Sequence, residues 1–193
     1  SPVEGGGCNS ACDSSLLEGN PIHEDMTEAC AMLEPDFLLN TVFTPDGAVS
    51  EIVAGHWYEA WEKGCQDLLK MAGVKIKELA DVVIASAGGY PKDLNLYQST
   101  KCHMNAAFAV KKGGIMIFTL DCEDIKEPAI FTDCFSRSNL EQFEKDIREA
   151  FTVPAFVAFK GRNILSDVTA YLVTRPENFD FVKRTGHIPC ATL

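Results

Sequence analysis

Apolar residues recur along this chain with two different periods, and the switches between them mark out its elements. Asn20-Pro21 offers a capping side chain followed by a proline in a first turn, which predicts a helix through "IHEDMTEACAML" that stops before Pro35. "DFLLNTVFT" and "AVSEIVAG" read as strands about the turn "TPDG", so an antiparallel hairpin follows. "HWYEAWEKGCQDLLKMAG" places Trp57, Ala60, Trp61, Cys65, Leu68 and Leu69 on one helical face, with Gly73 as its stop.

Beyond residue 80 short apolar runs alternate with helical patterns. "ADVVIAS" is a continuous apolar strand of the kind buried in a parallel sheet. A helix after Asp93, the strand "GGIMIFTL", and helices over about 128–136, 139–151 and 154–165 follow. "VTAYLVT" is a further strand, "PENFDFVKRTG" a last helix, and "HIPCATL" an edge strand limited by Pro189. The fold class is therefore α/β: three layers, a mainly parallel sheet with helices on both faces, and an N-terminal antiparallel hairpin. Residues 1–15 read as loop or a cut edge, and 16–193 as one domain, without repeats or an obvious linker.

Charge is unevenly placed. The net charge is -11, and residues 1–62 hold 12 of the 28 acidic residues with no Lys or Arg. The remainder is nearly balanced, with 17 basic against 16 acidic groups. No basic stripe is visible that could displace counterions from phosphates, which argues against nucleic acid. No apolar run reaches the roughly 18 residues of a membrane span, and no signal segment opens the sequence. Eight cysteines spread through apolar segments read as reduced thiols of a cytoplasmic protein. Cys8 and Cys12 could form half of a metal site, but no second pair follows at ligand spacing.

Candidate chemistry concentrates in "SAGGYPKDLNLYQSTK", residues 86–101. The stretch leaves a predicted strand and enters a helix, the place where open α/β sheets hold ligands. Gly88 and Gly89 permit a sharp turn and close backbone approach, and Asp93 is placed to cap the helix. Tyr97, Gln98 and Lys101 project to one side of that helix, and continuing the stripe to Met104 and Phe108 leads into the expected core. Cation, hydroxyl and amide together suit a carboxylate beside a hydroxyl group. A tight turn with a snorkelling lysine accounts for the same residues. The dinucleotide fingerprint and the P-loop are both absent. Cys102 and His103 point apart on a helix and make no catalytic pair, and His23, His56 and His187 read as surface or capping residues.

"ADVVIASAGGYPKDLNLYQSTKCHMNAAFAVKKGG" resembles the C-terminal domain of the nickel-dependent lactate racemase (LarA) family. "LLEGNPIHEDM" and "DFLLNTVFTPDGAVSEIVAGH" resemble the segments that precede it, so the likeness covers about residues 16–122. The resemblance implies an isomerase that racemises or epimerises α-hydroxy acids by removing a hydride and returning it to either face. It implies a nickel pincer nucleotide as cofactor. Tyr97, Gln98 and Lys101, with the Gly88-Gly89 turn, then match the substrate-binding share of the C-terminal domain. Phe156 is the counterpart of an aromatic residue on a later helix, where a tryptophan is expected. His56 stands where family members often have aspartate.

In that family the cofactor lysine, its histidine nickel ligand and two catalytic histidines precede the GNP segment. Here the first lysine is Lys63 and the only earlier histidine is His23. The expectation is a C-terminal portion without the catalytic half, holding no catalytic residue, metal or cofactor of its own and inactive alone. Its partners would be a small α-hydroxy acid and the N-terminal domain of the same protein, and a homo-oligomer is compatible with the sequence. Two other readings stand beside it: a non-catalytic domain that binds a small carboxylate, and an α/β assembly surface using its acidic first third.

Overall fold

The computed structural model describes residues 8–137 and 139–193. Residues 1–7 of the predicted opening loop lie outside these, and residues 9–19 run in turns and bends. The chain divides into two compact units, one through Lys75 and one from Ile76 to Leu193, a division the reading above did not draw.

In the first unit, helix α1 (Pro21–Ala31) starts as its capping signal predicts. The Asn20 side chain accepts hydrogen bonds from the Ile22 and His23 N–H groups. Strands β1 (Leu38–Phe43) and β2 (Val49–Gly55) form the antiparallel hairpin, with a register shift between Val42 and Phe43. Helix α2 (Trp57–Ala72) packs against it at its small residues. Ala60 is buried, and Gly64 lies so close that an added Cβ would sit 3.4 Å from Val53. His23 stacks on Trp61 with ring centroids 4.8 Å apart, which ties α1 to α2. Of the predicted face of α2, Leu68 and Leu69 remain exposed. The apolar core of this unit is small: among the described residues only Val42, Val53 and Ala60 are buried.

The second unit carries a four-stranded sheet in the order β3 (Ala80–Ser86), β4 (Val110–Thr119), β5 (Thr169–Val173), β6 (Ile188–Cys190), every pair parallel. Helices flank it: α3 (Leu96–Ala107) between β3 and β4; α4 (Ala129–Thr132) running on as a 3₁₀ turn; α5 (Leu140–Glu149); α6 (Val153–Asp167); and α7 (Phe179–Thr185) before β6. Alternate residues of the central strands, Met116, Phe118, Ala170 and Leu172, are fully or nearly fully buried. They meet Leu96, Phe131, Phe143, Ala158 and Phe159 in one contiguous core. Pro189 is accommodated because β6 is the edge strand.

Two expectations about α3 are corrected. Its cap is Asn95, whose side chain accepts from the Gln98 N–H at 2.9 Å, and not Asp93. Asp93 is buried and accepts instead from the Asp121 N–H at 3.2 Å, pinning the loop after β3 to the end of β4. The buried face is Leu96, Ser99, Thr100, His103 and Ala106, whereas Phe108 is exposed. The inward stripe is thus one residue off the predicted one, because polar side chains on it find partners inside. The Thr100 hydroxyl donates to the Leu96 carbonyl at 2.8 Å, and the His103 ring reaches the Ser99 carbonyl oxygen at 3.0 Å.

Candidate functional site

The chain leaves β3 at Ser86 and turns through Gly88 and Gly89, both at positive φ, into the cis Tyr90–Pro91 bond. The Ser86 hydroxyl accepts from the Gly88 N–H at 3.2 Å, and the Lys92 N–H donates to the Gly89 carbonyl at 2.8 Å. An added Cβ on Gly88 would lie 3.6 Å from Lys92 Cδ and 3.8 Å from its Nζ. The Lys92 side chain therefore lies across the turn, and glycine is needed at position 88 for its positive φ and not for space.

Between this turn, β3 and α3 lies an open cavity of about 530 Å³. Val83, Ala85, Ala87 and Ala106 give it an apolar floor, while Ser86, Lys92, Gln98, Lys101 and Asn105 supply its polar groups. Lys101 Nζ donates to Gln98 Oε1 at 3.0 Å. That bond takes one lone pair of the amide oxygen and leaves the other ammonium N–H groups and the amide N–H groups for a ligand. The pair presents donors and positive charge, a chemistry suited to a carboxylate or another oxyanion.

Of the predicted site residues, Gln98 and Lys101 come together in the cavity, whereas Gly88 and Gly89 are outside its lining. Tyr97 does not line it; its half-buried ring makes an edge contact with Phe131 at 5.4 Å. Phe156 lies on α6, half-buried, its ring 6.0 Å from that of Phe151, and is also outside the cavity lining. His56 is exposed at the start of α2 without a side-chain capping bond. Lys92 and Asn105 were not singled out from sequence. Their signal was present, since Asn105 follows Gln98 and Lys101 on the same helical side.

A second polar cluster lies in the core. His187 was expected at the surface, but it is buried, with its Nε2 2.8 Å from His103 Nε2. Because the Ser99 carbonyl can only accept, His103 Nδ1 carries the hydrogen, and its Nε2 accepts from His187. The Thr185 hydroxyl lies 2.7 Å from both His187 Nδ1 and the Val182 carbonyl oxygen. The His103 ring stacks on Phe118 at 3.8 Å. Burial pushes the His103 pKa down to about 4 and that of His187 well below its usual value. Two neutral imidazoles in a closed network form structure, not an exposed acid–base site.

Among the described residues, no group of three or more His, Cys, Asp or Glu side chains could hold a metal ion. No helix among them is long and apolar enough to cross a membrane. All eight cysteines are free.

The family model of the lactate racemase C-terminal domain matches residues 75–155. A lactate racemase from Thermoanaerobacterium thermosaccharolyticum is 40% identical over 185 residues, which are 93% of this chain and 43% of that protein. A lactate racemase from Lactiplantibacillus plantarum is 32% identical over 108 residues, 56% of this chain and 25% of that protein. The solved structure of the T. thermosaccharolyticum lactate racemase apoprotein superposes with a TM-score of 0.85 and 30% identity, covering 95% of this chain and 45% of that one. A Thermotoga maritima protein at a TM-score of 0.61 and 14% identity shares the fold. The chain thus spans less than half the length of these lactate racemases.

Proposed function

Starting from a chain that belongs, through residues 75–155, to the lactate racemase C-terminal domain family, we propose that it is the substrate-side domain of a hydroxy-acid racemase or epimerase. The observation that carries this reading is the donor-rich pair of Lys101 and Gln98 in the cavity beside β3. The Lys101 ammonium binds the carboxylate, or the carbinol oxygen that becomes a ketone when hydride leaves. Gln98 holds the ammonium in place and adds amide donors to the same acid. The apolar floor of Val83, Ala85 and Ala87 excludes water from one side of the bound acid.

In such an enzyme a nickel pincer nucleotide, when bound, would supply the hydride-accepting chemistry. The described residues of this chain do not fit a nickel site, since no donor cluster of the needed size is present among them. Cofactor anchoring, the proton-transferring histidines and any catalytic step are therefore assigned to the part of the relatives that this chain does not span. Alone, the chain binds an acid without turning it over. Its free cysteines support a cytoplasmic setting.

The test is Lys101→Gln in the longer protein, with racemisation followed by polarimetry. Loss of a charge-assisted hydrogen bond worth about 1.5–3 kcal/mol lowers kcat/KM by roughly ten- to a hundred-fold. Nickel content stays unchanged. Undiminished activity per nickel would mean that Lys101 merely rests on the surface.

A further inference from the structure

The cavity holds a second cation to which the proposed function gives no task. Lys92 lines it from the opposite segment of chain, the turn after β3, its side chain lying across Gly88. Among the described residues most basic side chains have a carboxylate within 4.0 Å, as Lys111 does with Asp81, Lys112 with Asp167 and Arg175 with Asp121. Lys92 and Lys101 make no such pair. None of the ten residues lining the cavity is acidic, although the chain as a whole is. Two unneutralised ammonium groups facing one space repel each other unless anionic charge lies between or beside them.

Size points the same way. A cavity of about 530 Å³ falls in the range that encloses drug-sized ligands. A lactate-sized acid held by Lys101 and Gln98 leaves much of it vacant, including the end where Lys92 lies. We infer that Lys92 binds a second anionic oxygen group, so that the cavity takes two anionic groups at once, one at each lysine. This rests on the reading of the cavity as an acid-binding site. The second group comes either from the same molecule, as in a 2-hydroxy dicarboxylate, or from a separate phosphate.

Binding to the chain, followed by amide shifts of Gly88 and Gly89 and by calorimetry, separates these cases. The probes are lactate, hydroxysuccinate and inorganic phosphate, with the wild type, Lys92→Gln and Lys101→Gln. Hydroxysuccinate is expected to bind about tenfold tighter than lactate, and Lys92→Gln to remove that gain while leaving lactate within about twofold. If instead phosphate binds alongside lactate, weakens about tenfold in Lys92→Gln, and hydroxysuccinate gains nothing over lactate, the second group is a separate phosphate. The inference is overturned if Lys92→Gln leaves hydroxysuccinate and phosphate binding unchanged, or if the wild type binds neither. Lactate binding that survives Lys101→Gln would instead remove the acid-site reading on which it rests.

Discussion

Acidification should destabilise this protein through two buried histidines. His103 is neutral in the fold because burial pushes its pKa from 6.5 to about 4. In the unfolded chain it titrates near 6.5, so between those values the unfolded state binds the extra proton. The stabilisation from the neutral ring is fully present above about pH 6.5, is lost as the pH falls toward 4, and changes no further below that. At about 1.4 kcal/mol per pKa unit, the loss is about 3 kcal/mol, a large part of an ordinary domain's 5–15 kcal/mol. His187 acts in the same direction through its own burial and the adjacent His103. Carboxylate ion pairs titrate in the lower part of the same window, so the informative quantity is a difference between two proteins. Urea unfolding at pH 7, 6, 5 and 4 should show the wild type losing at least about 3 kcal/mol more than the double variant His103→Leu/His187→Leu. Parallel pH profiles for the two proteins would show that the pair is not held neutral by the fold, and the tautomer chain assigned above would be wrong.

Glycines at two positions should respond in opposite ways. Gly161, inside α6, faces only Thr100 at 3.5 Å, so Gly161→Ala should raise stability in urea unfolding by about 0.5–1 kcal/mol. A Cβ on Gly114 would meet the Lys111 and Asp81 carbonyl oxygens at 2.9 and 3.0 Å, so Gly114→Ala should destabilise clearly in the same assay. Asn178 donates its buried amide to the Cys122 carbonyl at 2.9 Å, and Asn178→Ala should cost about 1–3 kcal/mol in urea unfolding. Its neighbour Arg175 forms a two-pronged but solvent-facing ion pair with Asp121, and Arg175→Ala should cost no more than about 1 kcal/mol.

What local pattern could reveal depended on where each residue finds its partner. Asn20-Pro21, the "TPDG" turn and the apolar run "ADVVIAS" act within a few residues, and the helix, hairpin and strand appear where they were expected. The burial expected of "ADVVIAS" does not follow, because β3 is an edge strand and Val82 and Ile84 are exposed on it. The burial of Ser99, Thr100 and His103 was not foreseen because a polar residue usually marks the wet side of a helix. His103 is buried only because His187 supplies its partner 84 residues later, information that no window on α3 contains. The same blindness sent Asp93 to the helix cap, since its bond to the Asp121 N–H is also remote in sequence. Gln98 and Lys101 were legible as one side of a helix. Tyr97 was grouped with them on spacing and on the family resemblance, and its ring packs against Phe131.

The rotation of α3 about its own axis has a consequence for the cavity. Successive residues of a helix are about 100° apart, so a roll by one residue would turn the Lys101 side of the helix toward Met116 and Phe118. Leucines and alanines alone would not forbid that roll, because apolar contacts are tolerant of sliding and turning. The Nε2 contact of His103 with His187 exists at a single roll angle, and elsewhere it leaves both buried Nε2 atoms without that partner. A bond in the dry interior thus works as an indexing pin for the helix. It sets the bearing from which Gln98 and Lys101 face the solvent, although neither histidine lines their cavity.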